Sequence, residues 1–455
     1  MAIQTKNPAT EEVVKVFDEL TDMELEAKLA KAESAFKVWR ETSFAERKSL
    51  MKKLAQYLRD NSAKFSELQT VEMGKTLASG PASIEKCATA CDYYADHAEE
   101  FLKIQELASA EEERYVRYDP IGPVLAVMPW NYPFWQVYRF AAPALMAGNV
   151  GLLKHASNVP QCAEAIEESF RACGFPDGVF QNLLISAPRV EEVIRDRRVA
   201  AVTLTGSEKA GASVASIAGS EIKKSVLELG GTDAFIVFAD ADIENAVESA
   251  VYGRLQDNTG QSCIAAKRFI VHKDVQEKFV SLLKEKIENL VVGDPMDENT
   301  NVGPLATEQG LKEVSSQVDE SVKKGAKIVL GGARKEGKGY FYLPTILTGV
   351  QKGMPAYDEE MFGPVFSVIT FSTDEEAVRM ANENPYGLGA AFFTKDHGRI
   401  RTLIPKIEAG NVFVNRFVKS DIRMPFGGVK KSGYGRELGA EGLKEFVNIK
   451  NVCIK

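Results

Sequence analysis

Over residues 22–40 and 44–71, Leu, Ala, Phe and Met recur at three- and four-residue spacing among Lys and Glu. That spacing predicts helices that each bury one face. A Gly-Pro step at 80–81 breaks the stretch, and a third helical pattern runs over 83–107. The period then changes. Residues 121–130 are apolar and β-rich, as are 179–185, 200–205 and 224–229, with helix-like segments at 160–173, 189–196 and 207–219 between them. Strands apolar on both faces that alternate with helices predict a parallel sheet covered on each side. The alternation resumes with strands at 234–239, 267–271, 364–371, 389–394 and 410–415 and helices near 242–256, 275–290 and 374–382. Two open α/β domains follow, with a seam near 230 where Gly230 and Gly231 end a strand. The last ten residues, 446–455, alternate like a strand left over once both sheets are built. A terminal edge strand of that kind commonly pairs with another subunit.

Composition adds mainly exclusions. A chain of 455 residues with 45% hydrophobic and 26% charged positions is a multidomain globular protein, neither disordered nor collagenous. Its least polar stretch, 141–153, is interrupted by Pro143, Gly148 and Asn149. That falls well short of the ~20 apolar residues a membrane-spanning helix needs, so no membrane partner is expected. The net charge of −8 argues against nucleic acid as a main partner. Six scattered cysteines without a C-x-x-C, and four distant histidines, predict neither a disulfide framework nor a metal site. The opening MAIQTKNPATEE lacks the apolar core of a signal peptide. The expectation is a soluble protein of a reducing compartment, the cytoplasm.

Three residues stand out for chemistry. Cys263 lies in DNTGQSCIAAKRFIV, a polar glycine-containing turn placed directly before a β-run. A nucleophilic thiol needs that kind of partly exposed, polar surrounding; the plainer reading is a small buried hydrophobe, which the other five cysteines receive. Glu228, in VLELGG, ends an apolar strand. Strand ends of open α/β sheets face the ligand crevice, where a desolvated carboxylate serves as a general base. Asn131 stands between Pro129 and Pro133, which fix the backbone around an amide suited to an oxyanion. TLTGSEKAG at 203–211 opens a helix after a strand, as a phosphate-binding turn does, but it is neither of the two common nucleotide fingerprints.

In order along the chain, NPATEEV, PWNYP, LLKHAS, TGS, LELGG, GQSC, EEMFGPV and PFGGVKKSGYGRELG resemble the aldehyde dehydrogenase superfamily, and the likeness covers essentially the whole sequence. It implies a dinucleotide-binding domain over 1–101 and 121–230, a catalytic domain over 231–428, and a β extension for oligomerisation over 102–120 and 446–455, giving a homodimer or homotetramer. By the resemblance, Cys263 attacks a small aldehyde, Asn131 and the Cys263 backbone N–H hold the oxyanion, and Glu228 activates water to release the acid. Acyl-transferring relatives generally lack that glutamate, so hydrolysis is expected. The cofactor would meet Trp130, Lys154, Ser157, Gly206, Ser207, Glu360 and Phe362. NAD-preferring members usually carry Glu three residues after the lysine; here Ser157 leaves room and positive charge for a 2′-phosphate, so NADP is expected in preference to NAD. His155 stands where many members have Pro.

The short chain, WNYPFWQVYR and KSDIRMPFGG resemble the compact bacterial succinate-semialdehyde dehydrogenases. By that likeness Arg139 and Ser420 would bind the substrate carboxylate, with Trp135 and Tyr138 as an apolar wall. The second arginine of two-arginine pockets is absent: Asp257 stands six residues before the nucleophile, and Arg423 is the candidate to compensate. Lactaldehyde and glutarate semialdehyde are the alternative substrates. A non-catalytic descendant is the reading from another class, and the joint retention of Cys263, Glu228 and Asn131 argues against it.

Overall fold

In the computed structural model, which describes residues 3–108 and 112–455, the first of two large sheets has the strand order Gly433–Tyr434, Lys224–Glu228, Ala201–Thr205, Pro123–Met128, Val150–His155, Phe180–Asn182. Neighbours are parallel except at the Gly433–Tyr434 edge, which folds back antiparallel on Glu228 and Leu227. The second sheet has the order Lys327–Leu330, Thr345–Thr348, Val365–Phe371, Arg268–His272, Ala234–Val237, Gly389–Phe393, Asn411–Val414, again parallel apart from its first strand. Alternate residues of Ala234–Val237 enter different cores, Ile236 on one face and Phe235 and Val237 on the other. A strand buried on both faces must be apolar throughout, as its sequence is.

Two central elements carried no readable period. Trp135–Met146 is a helix in which every residue is buried, and Val150–His155 is a strand buried along its whole length. Where all faces are apolar, neither the 3.6- nor the 2-residue repeat survives. The helical pattern over 44–71 divides at Asn61 into Phe44–Asp60 and Ser62–Met73. Pro81 begins a helix rather than ending one: Gly80–Phe101 carries it in the first turn, where proline has no N–H to lose. That helix stops at Phe101, and Gln105–Leu107 is a strand. Near the N-terminus Ile3–Lys6 and Val13–Phe17 pair as a hairpin ahead of the first helical stretch. Gln105–Leu107, Glu113–Pro120 and Val447–Ile454 form a separate antiparallel sheet with Val447–Ile454 outermost and Ile449 and Ile454 exposed.

No helix of the described residues is long and apolar enough to cross a membrane, and among them no cluster of three or more His, Cys, Asp or Glu is placed to hold a metal ion. All six cysteines are free thiols.

Candidate active site

The helix Ile243–Val251 continues into a wider-wound turn, Tyr252–Gln256, that delivers the chain into the loop before Cys263. Thr259 and Gly260 are both left-handed there, with φ of 52° and 75°. A Cβ on Gly260 would sit 2.0 Å from the Gly363 carbonyl oxygen, so only glycine fits. Side chains fix the rest of the loop. The Ala306 N–H donates to Gln261 Oε1 at 2.8 Å, Asn258 Nδ2 donates to the Asn131 carbonyl at 2.8 Å, and Lys267 Nζ donates to the Ser262 and Cys263 carbonyls, the first at 3.0 Å.

Cys263 is half-buried on a cleft of about 870 Å³ whose lining includes Tyr132, Trp135, Gln136, Arg139, Ser262 and Ser420. Burial pushes its thiol up to about 11, opposed by the charges of Lys267 and Arg139. At neutral pH the resting side chain is therefore a thiol. Asn131, from the turn after Pro123–Met128, donates one amide N–H to the Gln261 carbonyl at 3.1 Å and accepts from the Tyr132 N–H at 3.1 Å. Those two bonds fix the amide orientation and leave its second N–H for a ligand.

Glu228 ends its strand almost fully buried, with neither carboxyl oxygen hydrogen-bonded among the described residues. Its carboxyl is held well above the usual range, first by burial and then by Glu437; Arg139 and Arg436 pull the other way. A buried carboxyl with open oxygens has the chemistry of a proton acceptor awaiting water. Gly427 makes room for it, since a Cβ there would lie 2.8 Å from Glu228 Oε1.

The loop after Glu228 meets Glu360. The Gly231 N–H donates to Glu360 Oε1 at 3.1 Å, and Lys267 Nζ lies 3.4 Å from the same oxygen. Phe362 stands edge-to-face on Trp130 at 5.9 Å. On the first sheet, Lys154 is buried with its ammonium pulled down by desolvation, and no carboxylate pairs with it among the described residues. Ser157 follows on the loop, half-buried. Gly206 donates its N–H to the Glu228 carbonyl at 3.0 Å, and Ser207 caps the helix Glu208–Ser220, its hydroxyl accepting from the Ala210 N–H. A buried cation without an ion-pair partner among the described residues, a hydroxyl three residues on, and that helix start are a donor set suited to a phosphorylated dinucleotide. His155 ties the two halves of the site together. Its Nδ1 accepts from the Ala156 N–H at 2.9 Å, so Nε2 carries the proton and donates to the Pro133 carbonyl at 2.9 Å. Burial pulls the ring down to about 4 and keeps it neutral.

The proposed carboxylate pocket needs correction. Tyr138 is not a wall of the cleft: its hydroxyl bonds Ser169 and its ring stacks on Phe170, on the opposite side of the helix Trp135–Met146. Tyr132 and Gln136 line the cleft beside Trp135 instead. Arg139 does line the cleft, but its guanidinium is ion-paired with the buried Glu437 and donates to Thr205 Oγ1 at 3.2 Å. Arg423 does not compensate for the missing arginine; it is exposed and forks onto Asp421 at 2.6 and 2.9 Å. Asp257 is paired rather than bare, accepting from the Tyr132 hydroxyl, with Lys75 Nζ on its backbone carbonyl at 2.6 Å. The other two acids at the cleft are also engaged, Glu85 with Arg59 and Asp421 with Arg423. Lys75, Lys86, Arg416 and Lys419 also line it and form no ion pair among the described residues. The cleft is cationic on balance. Sequence reasoning missed Lys267, Lys86 and Glu437; the only signal was a Lys four residues after Cys263 at the start of a strand, where a solvated charge has no place.

The aldehyde dehydrogenase family model matches residues 1–452. The chain is 52% identical over 457 residues to succinate-semialdehyde dehydrogenase (NADP+) 1 of Mycobacterium tuberculosis H37Rv, and 50% identical over 454 residues to a probable succinate-semialdehyde dehydrogenase (NADP+) of Synechocystis; both alignments cover all of each chain. The crystal structure of succinic semialdehyde dehydrogenase from Streptococcus pyogenes in complex with NADP+ superposes with a TM-score of 0.96 at 40% identity, covering 99% of both chains.

Proposed function

Since the chain belongs to the aldehyde dehydrogenase family, we propose that it oxidises succinate semialdehyde to succinate with NADP and hydrolyses its own thioester intermediate. The observation that carries this reading is the cleft itself: one half-buried thiol in a lining of five cations and three acids, in which Glu85 and Asp421 are ion-paired and Lys75, Lys86, Arg416 and Lys419 form no ion pair among the described residues. Such a lining favours an aldehyde that bears a carboxylate. The likeness to the Mycobacterium, Synechocystis and Streptococcus proteins supports the same substrate and cofactor.

Cys263, once its Sγ loses the proton, attacks the aldehyde carbon to give a tetrahedral thiohemiacetal. The free N–H of Asn131 and the Cys263 backbone N–H then hold the developing oxyanion, with no reorganisation because the Gln261 and Tyr132 contacts already fix the amide. NADP, when bound, supplies the two-electron acceptor for the hydride that leaves this carbon. Sγ is left in a thioester. Glu228, as the carboxylate, takes a proton from water; the hydroxide adds to the thioester carbon, the S–C bond breaks, and Sγ recovers a proton as the acid departs. Trp130, Phe362, Gly206, Ser207 and Glu360 would hold the cofactor, with Lys154 and Ser157 on the 2′-phosphate. The antiparallel sheet ending in Val447–Ile454 is the surface on which copies assemble, as a homodimer or homotetramer.

The test is initial rate against succinate semialdehyde, glutarate semialdehyde, lactaldehyde and butanal, each with NAD and NADP. Fast succinate-semialdehyde turnover with NADP is expected. A win for neutral aldehydes would leave the family standing and remove this substrate.

A further inference from the structure

The reading above needs positive charge for the far end of the substrate; Arg139 keeps N–H donors for it, but its charge is already balanced by Glu437. Lys86 is not committed. It lies on the helix Gly80–Phe101, on the wall of the cleft that also carries Trp135 and Ser420. Its ammonium lies over the Trp135 ring, with Nζ 4.2 Å from the centroid. Nζ donates to Ser420 Oγ at 2.6 Å and forms no ion pair among the described residues. An ammonium has three N–H donors, so one bond leaves capacity for an anion. The hydroxyl it touches belongs to the residue at which the family likeness places a substrate contact, and that hydroxyl still has its own proton to give.

We propose that Lys86, with Ser420, supplies the unbalanced counter-charge for the substrate carboxylate, beside Arg139, whose own charge Glu437 neutralises. The inference rests on the reading of the substrate as an anionic semialdehyde. Three independent features agree on it. The ammonium faces a cleft, the indole and the Ser420 hydroxyl hold it in one place, and no carboxylate among the described residues is in ion-pair contact with it. Its surroundings make the charge costly when the cleft holds only water: burial pulls Lys86 down to about 8, opposed by Asp257 and reinforced by Arg139 and Lys419. A carboxylate arriving at Nζ relieves that cost, whereas a neutral aldehyde does not. Lys86 thereby contributes to selection between them.

The experiment compares kcat/KM for succinate semialdehyde and for butanal, four-carbon aldehydes with and without the carboxylate, in wild type, Lys86→Met, Lys86→Gln and Lys86→Arg. Loss of a charge pair of this kind should lower the ratio of the two specificities about 30-fold or more in Lys86→Met, mostly through KM for the semialdehyde. Lys86→Gln keeps a bond to Ser420 without charge and should show the same loss, deciding the matter if the Met variant does not fold. Lys86→Arg should restore most of the ratio. An unchanged ratio in both neutral variants would overturn the role of Lys86 while leaving the substrate reading intact. A wild type that shows no preference for the semialdehyde would overturn both.

Discussion

Arg139 and Glu437 form an ion pair in which the side chains are only 2% and 6% exposed, and the same arginine opposes the charge of Glu228. One guanidinium therefore serves two carboxyl groups below the cleft. Arg139→Met would strand Glu437 without its partner, and removing one member of a buried pair typically costs about 3–5 kcal/mol. Chemical denaturation should show that loss as a lower midpoint with an unchanged slope.

Glu437 also sets the proton affinity of Glu228. Its charge is the second cause, after burial, that holds the Glu228 carboxyl up. A group raised in this way is protonated, and inactive as a base, until the pH passes its raised value. Glu437→Gln removes the repulsion and leaves Arg139 free to favour the Glu228 carboxylate. The ascending limb of thioester hydrolysis against pH should move to lower pH by about one unit, the size of a single nearby-charge effect. Stopped-flow measurement of the hydrolytic step from pH 6 to 9 reads this directly; a limb that stays in place or moves upward removes Glu437 from the account.

The sequence already pointed to alternating strands and helices, and to Cys263, Glu228 and Asn131, because each sits where a local pattern breaks: a polar turn before a β-run, an acid at the end of an apolar strand, an amide between prolines. Trp135–Met146 and Val150–His155 were not legible, since burial on every side erases periodicity. The charge arrangement was illegible for another reason. Arg139 and Glu437 are 298 positions apart, and Lys86 and Ser420 are 334. Which cation is spent and which is free depends on long-range pairing that no window of sequence contains. Tyr138 failed as a cleft residue because its step of about 100° from Arg139 around the helix carries it to Ser169 and Phe170, contacts distant in sequence that fix which way it faces.

Gly427 is held to glycine by the residue it accommodates. A Cβ there would meet Glu228 Oε1 and the Gly435 carbonyl oxygen, each at 2.8 Å, and the backbone oxygen cannot yield as a flexible side chain would. Gly427→Ala should displace the Glu228 carboxyl while leaving Cys263 and Asn131 in place. Acylation would continue and hydrolysis would slow by about 100-fold, the usual scale for a misplaced general base. Rapid mixing should then show a burst of NADPH near one equivalent per chain followed by slow turnover, with the thioester detectable by mass.

In the proposed mode of NADP binding, Ser157 is the position at which a carboxylate would oppose the 2′-phosphate. Lys154, three residues earlier, forms no ion pair among the described residues, which leaves its charge for that phosphate. Ser157→Glu would place a negative charge between them and offer an acceptor for the two ribose hydroxyls of NAD. Loss of a charge-assisted contact worth about 1.5–3 kcal/mol predicts a roughly 10- to 100-fold rise in KM for NADP. The KM for NAD should fall or hold. Equal weakening toward both cofactors would mean that the loop had been disturbed and that Ser157 does not discriminate.

The thiol of Cys263 is pushed up to about 11 by burial, chiefly against the charge of Lys267. A thiol reacts as its thiolate, and a raised value means that this form is scarce at neutral pH and grows tenfold per pH unit until the raised value is reached. Alkylation of Cys263 by iodoacetamide in the cofactor-free enzyme should therefore be slow at pH 7 and still rising at pH 9.5, above the ordinary thiol value. Lys267 is wholly buried and bonded to the carbonyls of Ser262 and Cys263, so Lys267→Met should shift the profile further up and slow alkylation at any fixed pH. Peptide-resolved mass spectrometry separates this thiol from Cys453, which is exposed and provides an internal reference, while the other four cysteines are buried. If Cys263 alkylates as fast as Cys453 at pH 7, its thiolate is already formed in the resting site, and the first proton transfer described for it is unnecessary.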